Sequence, residues 1–190
     1  MENILSLLIW IPILSGLALL FFTKKSYFID IYNIIINSLV FALSVFLLLN
    51  FDVKSSDFQF VEILKWIPSL NINYHLGVDG ISTLLILLNT IIFLIVAFYN
   101  FTLNLKKRNQ YYASFLIASG LTIGVFSALD AMLFYIFFEA LLIPMFIIIG
   151  VWGGANRIYA AIKFFIYTFL GSVLLLISFL YINSSISSFN

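Results

Sequence analysis

The chain has 190 residues, of which 64% are hydrophobic and 9% charged, and its mean hydropathy is +1.17. Soluble domains carry about 25% charged residues, so this supply of charge cannot build a water-facing surface, and lipid must cover most of the exterior. A formal net charge of +1, without a long basic run or an acidic tail, points to no nucleic-acid partner. The absence of cysteine excludes disulfides, thiolate chemistry and Cys-ligated zinc or iron–sulfur sites, and one histidine cannot make a multi-histidine metal or haem site. No cofactor is therefore expected in this chain.

A membrane-spanning helix needs about 20 mostly apolar residues, and six stretches qualify. The first, Ile4–Phe22, follows Glu2 where a signal peptide would carry positive charge. It lacks a small-residue cleavage site before Lys24, so it reads as a retained helix. The second is Ile31–Leu49. A long connection, Phe51–Gly80, contains Trp66, Pro68 and Tyr74, residues suited to a membrane interface. Its central part, Phe58–Trp66, reads as a short amphipathic helix, and His75 as an interfacial loop residue. Asp79-Gly80 reads as the start signal for the third helix, Ile81–Phe101. The fourth, Tyr112–Leu129, carries Gly120 and Gly124, a spacing that lets two helices approach closely. Asp130 separates it from the fifth, Ala131–Val151. Gly150–Gly154 makes a tight turn before the sixth, Ile158–Ile182, and Asn183–Asn190 reads as a frayed end. These runs are too long, and alternate too little, for barrel strands. The expected fold is an all-α membrane protein of six transmembrane helices.

Charge sets the expected orientation. Lys24 and Lys25 follow the first helix, Lys106, Lys107 and Arg108 the third, and Arg157 the fifth. Basic residues thus fall on every second connection, which the positive-inside rule places in the inner compartment. The N-terminus, the 51–80 loop and the C-terminus are then outside. Two parts are expected: residues 1–110, three helices with the outer loop, and residues 111–190, three helices that begin a proton-translocation unit.

Glu139 is the principal candidate for chemistry. It falls about nine residues below the outer end of its helix, roughly 13 Å into a hydrocarbon layer about 30 Å thick. Intramembrane ionisable residues mark ion and proton paths by default. Desolvation favours the neutral form of a carboxyl and a nearby cation the charged form, so a carboxyl between those influences can load and release protons. The alternative is an interhelical hydrogen bond. Pro144, five residues on, removes a backbone donor and frees the Ala140 carbonyl, which either lines a hydrated path or only kinks the helix. Lys163 lies within the sixth helix near its inner end, where it either joins a proton path or snorkels to the interface. Asn89, Thr90, Ser114, Ser119 and Thr122 read as residues that bond neighbouring helices rather than line a wet path. Arg157 reads as a topology anchor.

Three stretches carry a resemblance: Asn73–Ser82 (NYHLGVDGIS), Asp130–Gly154 (DAMLFYIFFEALLIPMFIIIGVWGG) and Asn156–Ser172 (NRIYAAIKFFIYTFLGS). They resemble the subunit M, or chain 4, family of the proton-pumping NADH–quinone oxidoreductase, respiratory complex I. The likeness covers essentially the whole chain and is looser over Met1–Asn50. It implies the N-terminal part of an antiporter-like helical bundle in the membrane arm, where quinone reduction elsewhere is coupled to proton translocation. Glu139 then matches the family's fifth-helix glutamate and is a proton relay, with Lys163 in a subsidiary role. NADH, FMN, iron–sulfur clusters and ubiquinone belong to other subunits. The expected partners are lipid and the other membrane-arm subunits, in a bacterial plasma membrane or mitochondrial inner membrane. Family members have about fourteen helices, and the seventh-helix lysine that partners the glutamate is missing here. The chain is thus expected to be a fragment, a split-gene product needing a second chain, or a truncated copy. Two other readings stand beside this one: a subunit of a multi-subunit cation/proton antiporter, and an inactive truncated remnant.

Overall fold

The computed structural model describes residues 3–21, 26–55, 57–68, 72–101 and 106–186. Its elements are α1 (Ile4–Phe21), α2 (Ser26–Leu49), β1 (Gln59–Ile67), β2 (Ile72–Val78), α3 (Gly80–Phe101), α4 (Arg108–Ser127), α5 (Ala131–Trp152) and α6 (Arg157–Ile186). Among the described residues, five helices, all except α4, are long and apolar enough to cross a membrane. The helices match the six expected stretches with shifted ends. α2 begins at Ser26, more than a turn before Ile31, and α6 runs through the first part of the expected frayed end to Ile186. Lys24, Lys25 and residues 187–190 lie outside the described residues.

The connection between α2 and α3 corrects one expectation. Phe58–Trp66 is not helical: Gln59–Ile67 pairs antiparallel with Ile72–Val78 in a two-stranded hairpin. Apolar residues fall on both faces of this segment, Val61 and Ile63 on one parity and Leu64 and Trp66 on the other. Local periodicity therefore does not separate strand from helix. Cross-strand pairing decides, with a register shift between Gln59 and Glu62 where Phe60 adopts φ 53°.

The hairpin closes one end of the bundle. Glu62, 6% exposed, reaches from β1 to the start of α1. It accepts hydrogen bonds from the backbone N–H groups of Leu5 (2.8 Å) and Ser6 (3.2 Å) and from the Ser6 hydroxyl. A helix N-terminus leaves such N–H groups without intrahelical partners, and its dipole favours an anion. The Tyr74 hydroxyl lies 3.0 Å from the Ser6 hydroxyl and accepts from Trp10 Nε1 at 3.2 Å. Burial pushes the Tyr74 hydroxyl above its ordinary range, so it stays protonated.

α4 is the centre of the bundle and packs against α1, α3 and α5. Its buried face is largely small residues, including Ala113, Ser114, Ala118, Ser119, Gly120 and Gly124. A Cβ on Gly120 would come within 2.5 Å of the Ile9 carbonyl, and one on Gly124 within 2.8 Å of the Phe137 ring. The expected close approach is therefore made twice, to α1 and to α5. Of the polar side chains expected to bond neighbouring helices, Thr90 and Asn89 do so, whereas Ser114 and Thr122 bond their own helix. Ser44 meets Thr90 at 2.7 Å, Asn89 donates to the Ser119 carbonyl at 3.3 Å, and Ser114 and Thr122 donate to carbonyls one turn back.

At the opposite end a buried ion pair joins α2 to α4. Asp30, 5% exposed, takes Arg108 Nη1 at 2.5 Å and the Tyr112 hydroxyl at 2.7 Å. Tyr112 also lies 3.3 Å from the Asn100 carbonyl of α3. Trp152 Nε1 donates to the Lys106 carbonyl at 2.8 Å and ties the end of α5 to the same corner.

Two outcomes follow for stability in detergent. Arg108→Ala leaves Asp30 buried without its cation and should cost about 3–5 kcal/mol, whereas Asp30→Asn combined with Arg108→Gln should recover a large part; thermal unfolding of the variants checks this. At α3, the Ser82 N–H bonds Asp79 Oδ1 at 2.7 Å and holds that carboxyl below its ordinary range. A depressed carboxyl stabilises the fold fully above its unfolded-state value and loses that contribution as pH falls through the folded value. Asp79→Ala should therefore cost about 1 kcal/mol at neutral pH and progressively less below about pH 4, while Asp79→Asn should cost little at either pH.

Candidate functional site

α5 carries the site. Asp130 caps it, with Oδ1 accepting the Met132 and Leu133 N–H groups at 2.9 and 3.0 Å. From there to Ile143 the helix contains neither glycine nor proline, so Glu139 is held at a fixed height on a continuous rod. Glu139 is partly buried, and its Oε1 is, among the described residues, the one buried side-chain polar atom without a hydrogen-bond partner. Tyr135, one turn earlier, interacts through its hydroxyl with the Glu139 carboxyl and with Ser172 of α6. Glu139 therefore lies at the α5–α6 interface, level with Ser172. Below it the interface is apolar: Phe146 meets Phe165 with ring centroids 5.7 Å apart, and Gly150 faces Ala161.

Lys163 is placed elsewhere. It is exposed, and its ammonium lies 5.9 Å from the Tyr159 ring centre and 5.7 Å from that of Tyr167, one turn to either side on α6. Nine residues separate it from Ser172, about 13 Å along the helix axis. The structure does not bring Lys163 and Glu139 together. The aromatic flanks hold the cation by cation–π attraction on the face of α6 turned away from α5.

Pro144 sits inside α5 without interrupting it. With Ala140 it lines a cleft of about 560 Å³ between α1, α4 and α5, whose other walls include Leu17, Gln110, Ser114 and Ile147. Gln110 and Ser114 are its polar residues. No group of three or more metal-ligating side chains occurs among the described residues.

Sequence reasoning missed three carboxylates. Glu62 lies in the long connection, Asp130 between two apolar stretches, and Asp30 just before the expected start of its helix. All three are buried. The signal for Asp130 was present, since an acidic residue directly before an apolar run is a helix-start pattern. Nothing local marks Glu62, whose partners are more than fifty residues away.

The family described as NADH:quinone oxidoreductase/Mrp antiporter, transmembrane, matches residues 128–190, which include α5 and α6. NADH-quinone oxidoreductase subunit M of Rickettsia prowazekii (strain Madrid E) is 42% identical over 98% of this chain and 39% of its own length. NADH-ubiquinone oxidoreductase chain 4 of Arabidopsis thaliana is 43% identical over 94% of this chain and 36% of its own. Among solved structures, respiratory complex I from Thermus thermophilus with bound NADH contains a chain that matches with a TM-score of 0.79 and 25% identity, over 93% of this chain and 35% of that one. The membrane-bound sulfane sulfur reductase, an archaeal respiratory membrane complex, matches in fold with a TM-score of 0.84 at 18% identity, over 99% of this chain and 38% of that one. The chain is a multi-pass membrane protein that resembles, along nearly all of its length, subunit M or chain 4 of NADH–quinone oxidoreductases, and it spans 35–39% of the length of those relatives.

Proposed function

We propose that this chain is the N-terminal part of a membrane-arm subunit of an NADH–quinone oxidoreductase, in which electron transfer from NADH to quinone drives proton translocation, and that Glu139 is a proton relay. The observation that carries the reading is the unpartnered buried oxygen of Glu139. A carboxyl oxygen kept from water without a hydrogen bond costs free energy. It persists where the group must exchange a proton with a partner that comes and goes. The Tyr135 hydroxyl and Ser172 stand on one side of it. The cleft beside Ala140 and Pro144 borders the same stretch of α5, with Gln110 and Ser114 as its polar residues. Lys163 takes the subsidiary role of holding positive charge near the basic end of the bundle.

In this reading α4 is the sixth membrane span. Its 20 residues reach about 30 Å, enough for the hydrocarbon layer. Its lower apolarity follows from its place among other helices rather than against lipid. Residues 111–190 then begin the translocation unit, and 1–110 flank it. The chain works as a component of an enzyme without a redox centre of its own, and NADH, FMN, iron–sulfur clusters and ubiquinone sit in other subunits. The remaining helices, including a cation for Glu139, come from further sequence or a second chain, in a bacterial plasma membrane or mitochondrial inner membrane.

The matching family also includes Mrp antiporters, which supports a second reading as a subunit of a cation/proton antiporter. A native gel of mild-detergent membranes separates the two: co-migration with NADH dehydrogenase activity supports the first reading and migration away from it the second. Within the intact assembly, Glu139→Gln should remove most proton translocation per NADH oxidised while leaving the amount of assembled protein unchanged. Translocation equal to that of the unsubstituted protein would sink the relay. Lys163→Met should lower translocation less than Glu139→Gln does, and an equal loss would place Lys163 directly on the proton path.

A further inference from the structure

Asp130 is more than a helix cap. It is fully buried, and its two oxygens serve different elements. Oδ1 accepts the Met132 and Leu133 N–H groups of α5. Oδ2 accepts the Asn73 N–H of β2 at 3.1 Å. The same strand holds the α4–α5 turn at two further points: the Leu129 N–H donates to the His75 carbonyl at 2.9 Å, and Leu76 forms an isolated bridge with Ala128. Gly77 lies so close to this turn that a Cβ there would stand 2.6 Å from the Leu129 side chain. β2 is therefore paired with β1 along one edge and with the α4–α5 turn along the other.

We propose that Asp130 is a positioning residue for Glu139, fixing the height of α5 against the extramembrane hairpin. The hairpin is anchored independently to α1, through Glu62 on the Leu5 and Ser6 N–H groups. The first turn of α5 is thus registered to α1 by a chain of hydrogen bonds running Leu5–Glu62, β1, β2, Asn73–Asp130. No glycine or proline lies between Ala131 and Ile143 to absorb a displacement. An axial slip of the first turn is therefore carried undiminished to Glu139 and changes what its carboxyl meets across α6. Rotation is fixed separately by the Phe137 ring against Gly124. The functional consequence rests on the relay reading of Glu139; the positional one does not.

The two duties of Asp130 can be separated chemically. Asparagine caps a helix as well as aspartate, so Asp130→Asn keeps an oxygen for α5 but turns an amide N–H group toward the Asn73 N–H. Asn73→Pro removes the same hydrogen bond from the other end and leaves the cap intact. If Asn73→Pro does not accumulate, Asp130→Ser takes its place, because serine caps a helix but is too short to reach Asn73. The readout is the infrared carboxyl stretching band of Glu139, identified by its loss in Glu139→Gln, in the assembly purified from native membranes. Both variants are expected to shift this band in the same direction while melting temperature stays near that of the unsubstituted protein. An unmoved band in both, with Asp130→Ala alone lowering the melting temperature, would overturn the proposal and leave Asp130 a helix cap. Proton translocation retained in Glu139→Gln would remove the relay reading, and the band would still decide the positioning.

Discussion

Charge buried away from water has to be neutralised by the protein itself, because nothing else there hydrates it. The structure answers this three times with built partners. Asp30 is met by a guanidinium and a phenol. Glu62 and Asp130 are each set against the N-terminus of a helix, α1 or α5, where several N–H groups and the helix dipole supply positive charge. Asp30 and Glu62 thereby join elements distant in sequence, and Asp130 does so through its second oxygen on Asn73. The need to pair buried charge is therefore also what holds the bundle in register at both ends. Glu139 departs from the pattern, with one buried oxygen unmatched among the described residues.

Between those ends, association cannot rely on apolar burial, since lipid tails are as apolar as leucine. α4 shows the substitute. Small residues let α1 and α5 come close enough for extensive van der Waals contact, at Gly120 against the Ile9 carbonyl and at Gly124 against Phe137. Hydroxyl and amide groups bond within the α2–α3–α4 packing. The same choice explains why α4 is the helix whose sequence is least apolar. A helix enclosed by other helices needs close packing and satisfied polar groups, whereas α6, with Ile158, Tyr159, Ile166, Tyr167, Leu170 and Leu174 exposed, presents apolar bulk.

The hairpin changes the mechanical character of the bundle. A loose connection would let α1, α3 and α5 slide against one another. A paired strand bonded to α1 through Glu62 and to the α5 cap through Asn73 gives those helices a common reference outside the membrane. Glu139 hangs from that reference on an unbroken stretch of helix.

The sequence alone determined the membrane class, the six helical stretches, the alternation of basic connections and the singling out of Glu139. These depend on composition and on local runs, and a helix satisfies its backbone within itself wherever such a run occurs. The Asp79 and Gly120–Gly124 signals were legible for the same reason, being caps and spacings within one segment. Tertiary structure decided the rest. Whether Gln59–Ile67 is strand or helix depends on a partner strand, and apolar residues on both faces left no period to read. Whether Asp30, Glu62 and Asp130 are solvated or buried depends on Arg108, Leu5 and Asn73, which the chain brings to them from far along the sequence. Lys163 shows the same limit: its place on a helix was evident, but the face it occupies, between Tyr159 and Tyr167 and away from Glu139, is set by how α6 packs on α5.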